Sequence, residues 1–274
     1  MLRIGIVAGE ASGDMLGAGL ISELGKKTET LSVEGIGGER LLASGMKVLY
    51  PMERLSVMGI TEVASRYFEL KNIRNNLLKH FIKNPPDVFI GVDAPDFNLW
   101  LEKELRKAGI TTVHYVSPSI WAWREYRVKK IRMAADLVLN LFPFEAAIYD
   151  KYEVPNRFVG HHLADKIPSM PNVPAARADL KIPQDKIVVA LLPGSRLSEI
   201  KRIAGPLLEA AVFSQRKNPG LYFISGLIDE KSRNLFLEIK NRIAPDLSVD
   251  INISNTHKIM EAADFIMLAS GTAT

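Results

Sequence analysis

Ile187-Val188-Val189-Ala190-Leu191-Leu192-Pro193-Gly194-Ser195-Arg196 is the stretch that decides how this chain reads. A continuous apolar run rich in β-branched residues, stopped by Pro-Gly and followed by a helical pattern, is the signature of a buried parallel strand feeding a tight turn and a helix. Such turns are where open α/β sheets bind ligands. Gly194 lets the backbone approach a ligand closely, Ser195 can cap the next helix, and that helix's first N–H groups attract phosphate. Arg196 adds a planar, permanently charged donor able to grip a diphosphate bidentately.

The remaining composition narrows the class. With 274 residues the chain can form two domains, each with its own core. Hydrophobic residues make up 47% and charged residues 24%, the balance of a globular protein, and 35 Lys+Arg against 31 Asp+Glu give a net charge of +4. That excess suits anionic substrates or an acidic membrane surface. Nucleic acid is not an expected partner, since there is neither a recognisable binding motif nor a long basic tail. Cysteine is absent, which removes disulfides, a thiolate nucleophile and Cys-based metal sites, and fits a reducing cytoplasm. Residues 2–8 are too short for a signal peptide and read as the first strand. No stretch approaches the length of a membrane span, so contact with lipid would be peripheral.

Along the chain, residues 3–8 form a strand, and Gly9-Glu10-Ala11-Ser12-Gly13-Asp14 turns it into a helix over 15–26. This glycine-rich loop matches neither the dinucleotide fingerprint nor the Walker pattern. Strand 31–36 and a short helix at 39–44 follow, and then an apolar stretch leads into a helix over 61–83 that carries Arg66, Lys71, Arg74, Lys79 and Lys83. Pro85-Pro86 break that helix, and strand 87–92 ends in Asp93-Ala94-Pro95-Asp96-Phe97-Asn98. Two acids three residues apart at a strand's carboxyl end need different roles, because close like charges raise each other's pKa. Asp96 is expected to cap the helix 97–107, and Asp93, on the strand tip, is the candidate base.

His114, within strand 111–116, reads as a packed core residue, and Trp121 and Trp123 with their basic neighbours suit a membrane interface or a sugar-stacking platform, core packing being the plainer reading of each ring. After strand 136–141, helix 143–151 and strand 157–160 come His161 and His162, which as sequence neighbours point to opposite sides and cannot share a metal. No metal site and no cofactor are expected. Residues 166–174, with three prolines, read as a linker, dividing a first domain, 1–165, from a second, 166–274. In the second domain helical stretches 198–204 and 206–217 flank Pro206, strands cover 221–225, 248–253 and 264–268, and helices cover 229–243 and 256–263. Ser270-Gly271-Thr272-Ala273-Thr274 resemble the start of another phosphate-binding turn.

Two doubly wound α/β domains, Rossmann-like, would thus face each other across a cleft, with Asp93 on one side and Arg196, Ser270, Gly271 and Thr272 on the other. A base opposite a grip for phosphate oxygens is the layout needed for an alcohol to displace a nucleoside diphosphate, the leaving charge being met by Arg and helix N-termini.

The segments Val7-Ala8-Gly9-Glu10-Ala11-Ser12-Gly13-Asp14, 91–98, 114–123, 191–196 and 270–274, in this order, resemble those of the lipid-A-disaccharide synthase family along essentially the whole chain. The resemblance implies a GT-B fold with a partial second domain. It also implies an inverting, metal-independent glycosyltransferase joining UDP-2,3-diacylglucosamine to 2,3-diacylglucosamine 1-phosphate through a β-1',6 bond with release of UDP. Localisation would be cytoplasmic, peripheral on the cytoplasmic face of the inner membrane of Gram-negative bacteria, and the full-length form a homodimer. By position, Asp93 is similar to the family's base for the acceptor's 6-hydroxyl, and Arg196, with Gly194 and Ser195, to the diphosphate grip. Gly9, Glu10, Ser12, Gly13 and Asp14 would face the acceptor, and Ser270, Gly271 and Thr272 the diphosphate.

His162 stands where family members often have Pro, and the family pattern runs on beyond Thr274, so polypeptide 1–274 is expected to show little or no transfer. Two other readings share the features: a UDP-sugar epimerase of the same fold, which needs no lipid acceptor, and a non-catalytic UDP-binding fragment. With diacylated substrates, Val57, Met58 and Ile60, followed by the basic helix, become an expected lipid-contacting patch. Replacing Met58 and Ile60 by Ser, and Lys71, Lys79 and Lys83 by Glu, should abolish co-sedimentation with anionic liposomes; unchanged partition would remove the patch.

Overall fold

The computed structural model describes residues 1–55, 60–118, 120 and 125–268, with only the backbone described at 60–66, 125 and 166. The expected contacts at Val57, Met58, Ser270, Gly271 and Thr272 lie outside the described residues, as does the side chain of Ile60. The chain divides into two compact units, Met1–Ile167 and Pro168–Thr274.

The first unit runs β1 (Leu2–Ala8), α1 (Ala11–Gly25), β2 (Leu31–Gly37), α2 (Glu39–Ala43), β3 (Lys47–Pro51), α3 (Ile60–Lys83), β4 (Val88–Val92), α4 (Pro95–Lys107) and β5 (Thr111–Tyr115). It continues with α5 (Val128–Ala134), β6 (Leu137–Asn140), α6 (Pro143–Lys151), β7 (Asn156–Phe158) and α7 (His162–Lys166). Its seven strands form one parallel sheet in the order β3-β2-β1-β4-β5-β6-β7. The run of apolar residues in β1 is explained by burial on both faces. Ile4, Ile6 and Ala8 pack with Leu16 and Ile21 of α1 and Leu41 of α2, whereas Val7 packs with Leu77 and Phe81 of α3 and Leu101 and Leu105 of α4. The Phe81 ring passes over Gly5, where a Cβ would lie 2.9 Å from it, and meets Phe89 edge-on at 5.5 Å. Each such fully buried side chain contributes about 1.5–3 kcal/mol.

The second unit runs α8 (Val173–Asp179), β8 (Ile187–Leu192), α9 (Leu197–Lys217), β9 (Leu221–Leu227), α10 (Glu230–Ile243), β10 (Asp250–Ile253), α11 (Thr256–Ala262) and β11 (Phe265–Leu268). Its parallel sheet has the order β10-β9-β8-β11, which repeats the β3-β2-β1-β4 order of the first unit. Val189 and Leu191 face α9 and α10, and Val188 and Ala190 face α8 and α11. Both sheets are therefore doubly wound, as the apolar runs imply.

Several local expectations change. Strand β3 was not expected; it is a half-exposed edge strand with a register shift against β2. Helix α1 starts at Ala11, not Met15, because Gly9-Glu10 alone make the turn and the small Ser12 and Gly13 fit inside the first helical turn. The two stretches around Pro206 are one helix, α9. Its apolar face, Ile200, Ala204, Leu208 and Ala211, is fully buried and outweighs the one hydrogen bond that Pro206 cannot donate.

Gly35 fixes the pairing of β2 with β1: at φ +150° a Cβ there would sit 1.8 Å from the Ile6 carbonyl oxygen. Gly35→Ala should cost at least about 2 kcal/mol, read as a lowered urea midpoint; a loss below about 0.5 kcal/mol would mean the strand relaxes around the methyl group.

Candidate active site

In the first unit the connections leave β1 and β4 on opposite faces of the sheet, α1 packing on one and α4 on the other. The point where neighbouring strands diverge in this way is where open α/β sheets hold ligands. Two expected site loops meet there. Gly9, at the end of β1, is buried, and a Cβ on it would come 2.9 Å from the Cβ of Ala94, just after β4.

Asp93 is half-buried at the tip of β4, with φ +52°, and Ala94 follows at φ +43°. Left-handed backbone at a non-glycine residue costs about 1–3 kcal/mol and persists where neighbours enforce it. Here the Asp93 N–H donates to Tyr115 O at 2.8 Å, and Asn98 Nδ2 donates to Asp93 O at 2.8 Å. Val116, beyond the tip of β5, is also left-handed, at φ +82°. The expectation for Asp96 is corrected: Ala94 is the N-cap of α4, Pro95 opens the helix, and the Asp96 side chain is 91% exposed with Arg127 as its ion-pair partner at 3.5 Å. Pro95 fixes the backbone angle needed at the first helical position, which moves the start of α4 two residues upstream.

The residues of the first loop divide. Glu10 is exposed and Ser12 half-buried. Gly13 is buried, with Val92 O 3.4 Å from where a Cβ would stand, so it lets α1 pack onto the ends of the strands. Asp14 is 3% exposed and both its oxygens are engaged, accepting from the N–H groups of Gly38 (2.7 Å), Arg40 (3.0 Å) and Leu41 (3.2 Å). It caps α2 from a distance, holding the start of that helix against α1.

In the second unit Gly194 sits at φ +122°, over the side chain of Glu199, which an added Cβ would meet at 2.6 Å. Glu199 Oε2 accepts from the N–H groups of Ser195 (2.9 Å) and Arg196 (3.2 Å), and the Arg196 guanidinium is 3.8 Å from Glu199 Oε1. Arg196, not Ser195, is the N-cap of α9. Ser195 and Arg196 are exposed, so the expected phosphate grip lies at the surface, with a carboxylate on its backbone donors.

Three buried residues of this region escaped the sequence reading as site elements: Asn98, Glu102 and His114, each 0% exposed. The available signal was an amide and an acid one turn apart on the apolar face of a helix. His161 and His162 stack at 5.1 Å, and among the described residues no three His, Asp or Glu side chains gather to hold a metal.

Two doubly wound units, each with a ligand-type turn where its strands diverge, define the fold class of the GT-B glycosyltransferases and nucleotide-sugar epimerases. Solved structures agree. The UDP-GlcNAc 2-epimerase of Neisseria meningitidis bound to UDP-GlcNAc matches with a TM-score of 0.64 at 12% identity, over 99% of this chain and 78% of that one. A glycotransferase of kitacinnamycin matches with a TM-score of 0.60 at 15% identity, over 98% and 76%. Sequence comparison gives the family: the model described as lipid-A-disaccharide synthetase covers residues 4–274. The lipid-A-disaccharide synthase of Aeromonas hydrophila is 52% identical over 99% of this chain and 72% of its own length, and that of Escherichia coli is 49% identical over 99% and 71%. The chain belongs to the lipid-A-disaccharide synthase family and is a glycosyltransferase of lipid A biosynthesis.

Asp14→Ala should cost about 1–2 kcal/mol, read as a lowered melting temperature, because the N–H groups of Gly38, Arg40 and Leu41 at the start of α2 lose their acceptor; an unchanged melt would show that the cap contributes nothing.

Proposed function

We propose that the Asp93 carboxylate takes the proton of the 6-hydroxyl of 2,3-diacylglucosamine 1-phosphate as that oxygen attacks the anomeric carbon of UDP-2,3-diacylglucosamine. The new C–O bond forms on the face opposite the leaving group, and UDP departs with the electron pair of the broken bond, giving the β-1',6 disaccharide. The observation that carries this reading is the strained strand tip: a half-buried carboxylate at the switch point, its backbone held in the left-handed region by hydrogen bonds at both its N–H and its C=O. Gly9 meets Ala94 beside it, and Gly9, Glu10 and Ser12 would line the acceptor's side, with Gly13 and Asp14 shaping that loop. Arg196, with the turn at Gly194 and Ser195, would meet the charge developing on the diphosphate, Ser270, Gly271 and Thr272 adding donors. For the diphosphate to use the N–H groups of Ser195 and Arg196, Glu199 must give way or share them.

Residence on the inner membrane's cytoplasmic face, as a peripheral protein, is part of the proposal. No helix among the described residues is long and apolar enough to cross a membrane. On α3, Phe68, Lys71, Lys79 and Ile82 fall on one exposed helical face, opposite buried Ile73, Leu77 and Phe81, and aromatic and aliphatic side chains among lysines suit an anionic lipid surface.

In the purified complete protein Asp93→Asn should lower kcat by at least about 100-fold with UDP affinity within about twofold, and Arg196→Ala should weaken UDP binding. An active Asp93→Asn protein would remove Asp93 as the base. Conversion of the UDP-sugar to an epimer without acceptor would replace transfer by the epimerase reading.

A further inference from the structure

Glu102 of α4 and His114 of β5 are bonded to each other with no exposed side-chain surface on either, His114 Nδ1 lying 2.8 Å from Glu102 Oε1. Their second polar atoms, Glu102 Oε2 and His114 Nε2, have no hydrogen-bond partner among the described residues, nor has Asn98 Oδ1. Gly91, in register with His114, makes the room: a Cβ there would stand 2.0 Å from Glu102 Oε1. Taking an ion pair out of water costs several kcal/mol per ion, and apolar residues of similar volume commonly pack as stably, so packing alone gives no reason to place one here.

Two short paths lead from the pair to Asp93. Along α4, Asn98 is one turn before Glu102 and holds the Asp93 carbonyl; along β5, Tyr115 follows His114 and accepts the Asp93 N–H. We propose that Glu102, His114 and Asn98 form a buried positioning unit that fixes Asp93 at the strand tip. The inference rests on Asp93 being the base.

Burial pushes the His114 imidazolium towards neutrality, but the Glu102 carboxylate, its hydrogen bond and, more weakly, the Asp93 carboxylate outweigh it, so His114 keeps its proton above the ordinary histidine range. Burial pushes Glu102 up, and His114 offsets this only in part. The two share their protons as one unit. The charges acting on His114 are those of Glu102 from α4 and Asp93 from the tip of β4. Its sheet neighbours are Gly91 and Val138, and α5 buries Val128, Ile131 and Ala134, all uncharged. During transfer the acceptor's proton goes to Asp93 and thence to solvent; neither Glu102 nor His114 touches substrate.

His114→Gln in the complete protein removes the charge while keeping a donor towards Glu102. The expected result is a kcat lowered about 10- to 100-fold with a KM for the UDP-sugar within about twofold. The reciprocal arm follows the His114 ring by NMR in folded protein: Asp93→Asn should move its titration to lower pH. That arm decides alone if His114→Gln does not fold. A His114 titration indifferent to Asp93→Asn, or a folded His114→Gln enzyme with unaltered kcat, overturns the inference. Full activity of Asp93→Asn marks a different failure, that of the base assignment beneath it.

Discussion

The Asn98 side chain is fully buried, and its Nδ2 reaches the carbonyls of Val7, Val92 and Asp93 at 3.3, 3.4 and 2.8 Å, so one amide joins the ends of β1 and β4 to the first turn of α4. At the end of a parallel ladder the carbonyls have outrun their strand partners, and buried ones must find another donor. Asn98 is that donor. Its position lets Asp93 and Ala94 stay in a backbone conformation that neither would adopt alone, and lets Gly9 press against Ala94 across the gap. The candidate base and the glycine-rich loop are thereby set relative to each other by the sheet itself, which is more rigid than any loop contact.

The second unit meets the same topology with the opposite charge. Where the first unit places an amide donor among carbonyls, the second places the Glu199 carboxylate among the N–H groups at the start of α9. Helix starts favour negative charge, whether from a side chain or a ligand. Glu199 thus keeps the turn folded around Gly194 with the donors already aligned, and Arg196 stands at the rim. Pre-alignment of this kind lowers the ordering cost of binding an anion.

The doubly wound architecture was legible because its strands are buried on both faces: β4 and β8 read as apolar runs, β1 as one interrupted only by Arg3, and the turns after β1 and β8 carry glycines. Edge strand β3 was not, since it is short, half-exposed and ends in Pro51. Pro206 read as a helix boundary because local propensity is all that a sequence shows; the apolar face that carries α9 past it is a tertiary property. The same division governs the site. Asp93, just past β4, and Arg196, at the start of α9, could be singled out as candidates from the turns they stand in. The helix cap formed by Asp14 and the pair of Glu102 with His114 depend on contacts between elements, and no periodicity encodes them, whereas Glu199, three residues into its helix, makes a local cap that spacing alone could have suggested.

The boundary between the units also says where an independent second unit would have to begin. The segment ahead of β8 is laced to the far edge of that sheet. Asn172 N–H donates to Glu261 at 2.7 Å, and buried Arg177 donates to the carbonyls of Ala262, Gln184 and Lys186 and pairs with Asp264 at 2.7 Å. Lys258 closes the same seam on Asp179. An excised fragment opening at Ile187 would strip Asp264 of Arg177 and leave Lys258, Glu261 and the Ala262 carbonyl without these partners, whereas one opening at Pro168 carries its own fastening. What reads in the sequence as a proline-rich spacer is, beyond its first few residues, a strap belonging to the unit it precedes.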